Sequence, residues 1–186
     1  MSQHDTRSDT ISLVLTVIGD DRPGLVERLA AAISEHQGNW LESSMSHLSG
    51  KFAGIVCVSV ATVEAAALKD ALAGLSGLRI ACEESLPAGT DAATPKNIRR
   101  LKLALVGHDR IGIVREVSQV LARYAINVED LNTHTASAPM SAEILFHANA
   151  VLTAAPTLDA RALTADLERL SNDLMVDITL DETIRT

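Results

Sequence analysis

At 186 residues the chain is long enough for one large domain or two small ones. A formal net charge of −8 works against a direct grip on nucleic acid, and an aromatic content of 2% argues against base-stacking platforms. Hydrophobic residues make up 47%, yet no apolar run reaches the roughly 18 residues that a membrane span requires.

Met1 to Thr10 is polar, carries Asp5 and Asp9, and lacks the basic and apolar regions of a secretion signal. We read Met1 to Ser8 as a disordered tail and the protein as cytoplasmic. Ile11 to Ile18 is uncharged and rich in β-branched residues, which predicts a central strand. Gly19-Asp20-Asp21-Arg22-Pro23-Gly24 breaks it, with Asp21 as the expected helix N-cap and Pro23 in the first turn. Leu25, Leu29, Ala32, Ile33 and His36 then fall on one face of a helix, which Gly38 is expected to end as a left-handed cap. Asn39 to Leu48 reads as a second strand, Ser49-Gly50-Lys51 as a hairpin turn, and Phe52 to Val63 as a third strand. Glu64 to Leu75 reads as a helix closed by Gly77, and Leu78 to Ser85 as a fourth strand. The order is βαββαβ.

The next stretch contains two prolines and Gly89 among small polar residues, and reads as a linker over 87–98. The pattern then returns. Gly107-His108-Asp109-Arg110-Ile111-Gly112 repeats the first loop 88 positions later, Val114 repeats Val26, and Asn127 repeats Asn39. The apolar stripe repeats as Ile113, Val117, Val120 and Leu121. Strands are expected at Arg100 to Val106, Ile126 to Ser137, Ala142 to Leu152 and Leu174 to Leu180, with a turn at Ala138 to Ser141. Helices are expected at Gly112 to Tyr124 and Pro156 to Ser171. The chain is therefore two copies of one unit, over 9–86 and 99–183. Each is an α+β, ferredoxin-like split βαβ, an antiparallel sheet with both helices on one face. Strand one lies between strands three and four in that topology. Cys57 and Cys82 are then too far apart to bridge, and both read as small core residues.

The repeated loop is the leading candidate site. It joins a strand end to a helix N-terminus, where unpaired N–H groups and the helix dipole favour an anion, and its glycines permit close approach. An α-carboxylate fits that scale, and Asp20, Asp21 or Asp109 could meet an α-ammonium group. The alternative is a tight turn that needs Gly and Asp for conformation alone. Asn39 and Asn127 open the second strands, which we place beside the loop, and offer donor and acceptor together; a helix-exit turn residue is the plainer reading. None of the six histidines forms a paired metal spacing. His36 reads as core, and His47 and His134 sit late in the second strands. Lys96, Arg99, Arg100 and Lys102 read as a solvated linker exit. No catalytic arrangement, metal site or cofactor fingerprint is visible in the local sequence.

Gly-x-Asp-Arg-Pro-Gly-Leu-Val, followed by a helix, Gly-Asn and a strand, resembles the ACT domain. The match runs over both units and is closer in the first, since Ile111 stands where the proline would and His108 where Asp20 does. The tandem arrangement is similar to the glycine cleavage system transcriptional repressor family. The resemblance implies that ligands lie between two domains, held by the loop after strand one and by polar residues opening strand two. Residue by residue it implicates Gly19, Asp20, Asp21, Arg22, Gly24 and Asn39, and in the second copy His108, Asp109, Arg110, Gly112 and Asn127. It also implies a non-enzymatic sensor of an amino acid such as glycine, which regulates transcription through a protein partner such as an activator. Two other roles stay open, a regulatory subunit of an amino-acid metabolic enzyme and a small enzyme using the interdomain cleft. Small units with exposed sheet edges point to pairing, either within the chain or as a homodimer, and we expect the homodimer.

Overall fold

A computed structural model describes residues 9–85, 98–138 and 143–183. The expected tail, nearly all of the linker and most of the turn after Ala138 lie outside them. The chain divides into two compact units. The first runs β1 (Thr10–Asp20), α1 (Leu25–Glu35), β2 (Asn39–Leu48), β3 (Lys51–Ala61), α2 (Ala65–Ala73) and β4 (Leu78–Ser85). The second runs β5 (Arg99–His108), α3 (Ile113–Arg123), β6 (Asn127–Ser137), β7 (Ile144–Ala154), α4 (Ala160–Leu174) and β8 (Val176–Thr183).

Each unit is one four-stranded antiparallel sheet, ordered β2-β3-β1-β4 and β6-β7-β5-β8, with both helices on one face. The alternation of side chains explains why. Leu13, Leu15 and Val17 point to the helices beside Val56, Val58 and Val60, and all six are buried. Leu29, Ile33, Leu68 and Leu72 close over them. The second core repeats the scheme with Leu101, Leu103 and Leu105 under Val117, Leu121, Leu163 and Leu167. The two cysteines are free and lie opposite Val14 and Leu15, on either side of β1. Burial pushes the Cys82 thiol up, away from a reactive thiolate.

Several helix ends differ from the sequence reading. Asp21 is not the N-cap of α1. Gly24 is, at φ 88, without a side-chain cap, and Gly112 does the same for α3 at φ 96. Pro23 belongs to the turn before the helix. Gly38 is not the left-handed residue either; Gln37 is, at φ 55. Gln37 N–H donates to the Ser34 carbonyl (3.0 Å) and Gly38 N–H to that of Ile33 (2.8 Å), a Schellman closure. Glycine is needed at 38 for room, since a Cβ would stand 2.8 Å from Ile33 Cγ2. Gly77 closes the turn into β4 at φ 83, while α2 itself stops at Ala73. The fourth helix starts at Ala160 rather than Pro156, because the Asp159 carboxylate accepts from Ala162 N–H (3.0 Å). It runs on to Leu174, where Met175 ends it at φ 51. His36, expected in the core, is a half-buried C-cap. Both outer strands β2 and β6 carry a bulge, at Trp40/Glu42 and Val128/Asp130.

Candidate functional site

The first loop leaves β1 at Asp20 and enters α1 through Gly24. Two contacts tie it to the β2–β3 hairpin. Asp21 N–H donates to the Gly50 carbonyl (3.0 Å), and the Lys51 ammonium donates to the Asp20 carboxylate. The register forces this, because Asp20 lies directly opposite Lys51. Gly24 adopts the left-handed conformation that lets the chain turn into the helix, and its carbonyl accepts from Arg28 N–H (3.0 Å). Gly19 has a packing reason: a Cβ there would meet the Gly77 carbonyl oxygen at 2.3 Å.

The second loop has the same backbone and different charges. Asp109 N–H donates to the Ile144 carbonyl (3.1 Å), and Gly112 caps α3. His108 Nδ1 lies 3.9 Å from the Glu143 carboxylate. Ile111 is fully exposed. The decisive difference is the arginine. Arg110 donates to Glu116 in the first turn of α3 at 2.7 Å, so its guanidinium is already held. Position 28 in the first copy, where the second has Glu116, is an arginine, and Arg28 donates to the Ser76 hydroxyl (3.1 Å). Arg22 is 73% exposed and, among the described residues, pairs only with Asp20, at 3.7 Å. The first loop thus presents an arginine that an incoming carboxylate could engage; the second presents one a neighbour has satisfied.

The asparagines are elsewhere. Asn39 lies opposite Ser59, which lies opposite Ser12, at the start of β1. Eight residues of strand separate Ser12 from Asp20, roughly 25 Å. Asn127 stands likewise opposite Thr153 and so level with Arg100, far from His108. Within one unit the loop and the asparagine occupy opposite ends of the sheet, contrary to the placement expected from sequence. The reason is direction: β2 starts where β1 starts, because α1 returns the chain to that end.

Sequence reasoning missed Lys51 and Glu116. The first was signalled only by the hairpin register, the second by the charge reversal between Arg28 and Glu116. The basic cluster is also less solvated than read, since Arg99 donates to the Leu158 carbonyl (2.8 Å) and Arg100 to Glu129 (2.7 Å). His134 stacks on His147, ring centroids 4.8 Å apart. Among the described residues no group of three or more His, Cys, Asp or Glu side chains is placed to hold a metal ion. Nor is any helix among them long and apolar enough to cross a membrane.

The Lys51 hydrogen bond and charge, with a smaller contribution from Arg22, hold the Asp20 carboxyl below the usual carboxylate range. A depressed folded value means that the ion pair contributes fully above the unfolded value, about 3.9, and is lost as pH falls through the lower folded one. Carboxyl-carbon NMR should therefore give Asp20 a midpoint below 3.9 (about the reference value), and Lys51→Gln should raise it. An unmoved midpoint in the variant would remove Lys51 as the cause.

An ACT domain family model matches residues 12–78 and 100–181. Among solved structures, an unknown protein from Galdieria sulphuraria is 30% identical, with a TM-score of 0.78 over 95% of this chain and 100% of that one. A candidate glycine cleavage system transcriptional repressor is 18% identical, with a TM-score of 0.70 over 95% of this chain and 99% of that one, a likeness of fold. No curated protein matches the sequence. The two matches, each falling in a split βαβ unit with a glycine-capped loop after its first strand, place the chain in the ACT-domain family as a tandem pair of these regulatory, ligand-sensing units.

Proposed function

We propose that the protein is a non-enzymatic amino-acid sensor that regulates transcription through a protein partner, in the manner of a glycine cleavage system repressor. The observation that carries the reading is the asymmetry of the duplicated loop. Arg22 is open to solvent above a glycine-capped helix start, with Asp21 beside it in the chain, while Arg110 is bound to Glu116. A zwitterion such as glycine offers a carboxylate to Arg22 and an ammonium to Asp21. Gly19, Asp20 and Gly24 would shape that site. His108, Asp109, Arg110 and Gly112 would form the weaker copy. A protein partner, rather than DNA, fits a chain of net charge −8. The assembly proposed is a cytoplasmic homodimer, which light scattering would read directly.

The test is a thermal-shift screen of the full chain against glycine and the other amino acids. A ligand that binds the native state alone, at about 100 times its dissociation constant, adds roughly 2.7 kcal/mol. We expect a shift that Arg22→Gln and Asp21→Ala abolish and Arg110→Gln leaves in place. Persistence of the shift in both first-loop variants would overturn the site. Because Asn39 stands at the far end of its sheet, Asn39→Ala is a separate arm. Loss of binding there as well would mean that the effector does not rest on one loop alone. ACT units also serve as regulatory subunits of amino-acid metabolic enzymes, and co-purification with such an enzyme instead of a transcription factor would favour that role.

A further inference from the structure

The face of the first sheet that carries no helix holds a groove of about 720 Å³, within the size range of small-molecule sites. Two rows of cross-strand neighbours build it. One row is Ser44, Ile55, Thr16 and Ala81; the next is Ser46, Ala53, Ile18 and Arg79. The recess follows from side-chain size. Ser44 and Ser46 on β2, Ala53 on β3 and Ala81 on β4 are short, so Ile18 and Ile55 form an accessible apolar floor, 39% and 53% exposed. Arg79 stands at one side, three strand spacings (~14 Å) from Ser46. Among the described residues it is the only ionisable one lining the groove. It has no ion-pair or hydrogen-bond partner among the described residues, so its guanidinium is free to meet a ligand.

The duplication supplies an internal comparison. At the matching register positions the second unit has Asn132 and Asn149 for Ser44 and Ile55, and the stacked His134 and His147 for Ser46 and Ala53. Thr179 replaces Ala81, and Asp177 replaces Arg79. Val106 keeps the Ile18 half of the floor apolar and Ala104 stands for Thr16, but Asn149 makes the Ile55 half polar, two of the short side chains become rings, and the charge at position 79 reverses sign.

We propose that this face of the first unit binds a small monocarboxylate with an apolar tail. The carboxylate pairs with the Arg79 guanidinium, the tail lies over Ile18 and Ile55, and the Thr16, Ser44 and Ser46 hydroxyls line the polar margin. One guanidinium matches one carboxylate as a planar two-pronged pair. A phosphate would find no second cation in the groove. The recess left by the short side chains at 44, 46, 53 and 81 gives the tail room over the Ile18 and Ile55 floor. The site is separate from the loop after β1 and stands or falls independently of the sensor reading.

The experiment is a titration of the full chain with isocaproate, isocaproamide and acetate, followed by amide NMR. We expect saturable isocaproate shifts, in the millimolar range or tighter, confined to residues 16–18, 44–46, 53–55 and 79–81. The uncharged amide and the tail-less acetate should bind at least about tenfold more weakly, as loss of one charge-assisted pair or of the apolar contact predicts. Arg79→Gln should weaken isocaproate about tenfold and leave the amide unchanged. Ser46→His with Ala53→His, copying the second unit, should abolish binding. All three positions changed here, Arg79, Ser46 and Ala53, carry exposed side chains, so folding is checked simply by the unchanged spectrum elsewhere. No saturable binding, equal affinity for acid and amide, an unaffected Arg79→Gln variant, or shifts centred on the loop at 19–24 would each overturn the proposal.

Discussion

Gly19→Ala should destabilise the first unit by about 3 kcal/mol, the upper end of the usual cost of overpacking. The added Cβ would stand 2.3 Å from the Gly77 carbonyl oxygen and 2.9 Å from Leu78 Cδ2. The closer of these is backbone and cannot rotate away. Gly77 is itself fixed at φ 83, and Leu78 is paired opposite Gly19 in the sheet. Relief requires β4 to move off β1. Denaturant unfolding should show a lower midpoint with an unchanged slope. Gly24→Ala is the contrasting variant. Nothing lies within 4 Å of its Cβ, so its cost of about 1–2 kcal/mol comes from the left-handed backbone alone. If the two variants lose equal stability, the close approach at Gly19 is not what selects glycine there. In the second unit, Gly107→Ala would meet Val176 Cγ1 at 2.1 Å, a side chain rather than a carbonyl. Val176→Ala should therefore restore part of that loss, a rescue that no side-chain change offers Gly19.

Leu29→Ala should cost about 2–5 kcal/mol, the range for truncating a fully buried leucine. Leu29 is 0% exposed and packs in a cluster made wholly of first-unit residues. Hydrogen exchange should accordingly show protection falling across β1, β3 and α1. Leu163→Ala, equally buried in a cluster of second-unit residues, should lower protection across β5, β7 and α3. Equal loss of protection in both units from either variant would mean that the two cores do not answer separately.

Much of the architecture could be read from the sequence because it rests on periodicity. Leu25, Leu29, Ala32 and Ile33 announce a helix face, and their counterparts from Ile113 to Leu121 announce it again. The strand order followed from the βαββαβ pattern. What was not legible depends on two things a linear reading lacks. One is local backbone conformation. Asp21 looks like a cap by type, but Gly24 turns the chain late, at φ 88, and takes the position. Gln37 holds the left-handed site that Gly38 seemed made for. The other is register. Asn39 follows the helix closely in sequence, yet the sheet sets it level with Ser12 and not with Asp20. The row from Ser46 through Ala53 and Ile18 to Arg79 draws on four strands, so no window of sequence contains it. Of the loop itself, residue identity was visible, but the difference between an open Arg22 and an occupied Arg110 required the Glu116 contact.

The paired bulges bear on how copies of the chain can assemble. Within its own sheet β2 or β6 is an edge strand, and the outward backbone groups of an edge strand are a template for a further strand. At Trp40/Glu42 and Val128/Asp130 the regular spacing breaks, and Glu42, Glu129 and Asp130 bring carboxylates to the same place. An incoming strand finds even spacing only from the bulge to the hairpin end. The bulge thus acts as a ruler: it fixes the register of any added strand and stops it short. Long continuous strand addition along either edge is thereby disfavoured.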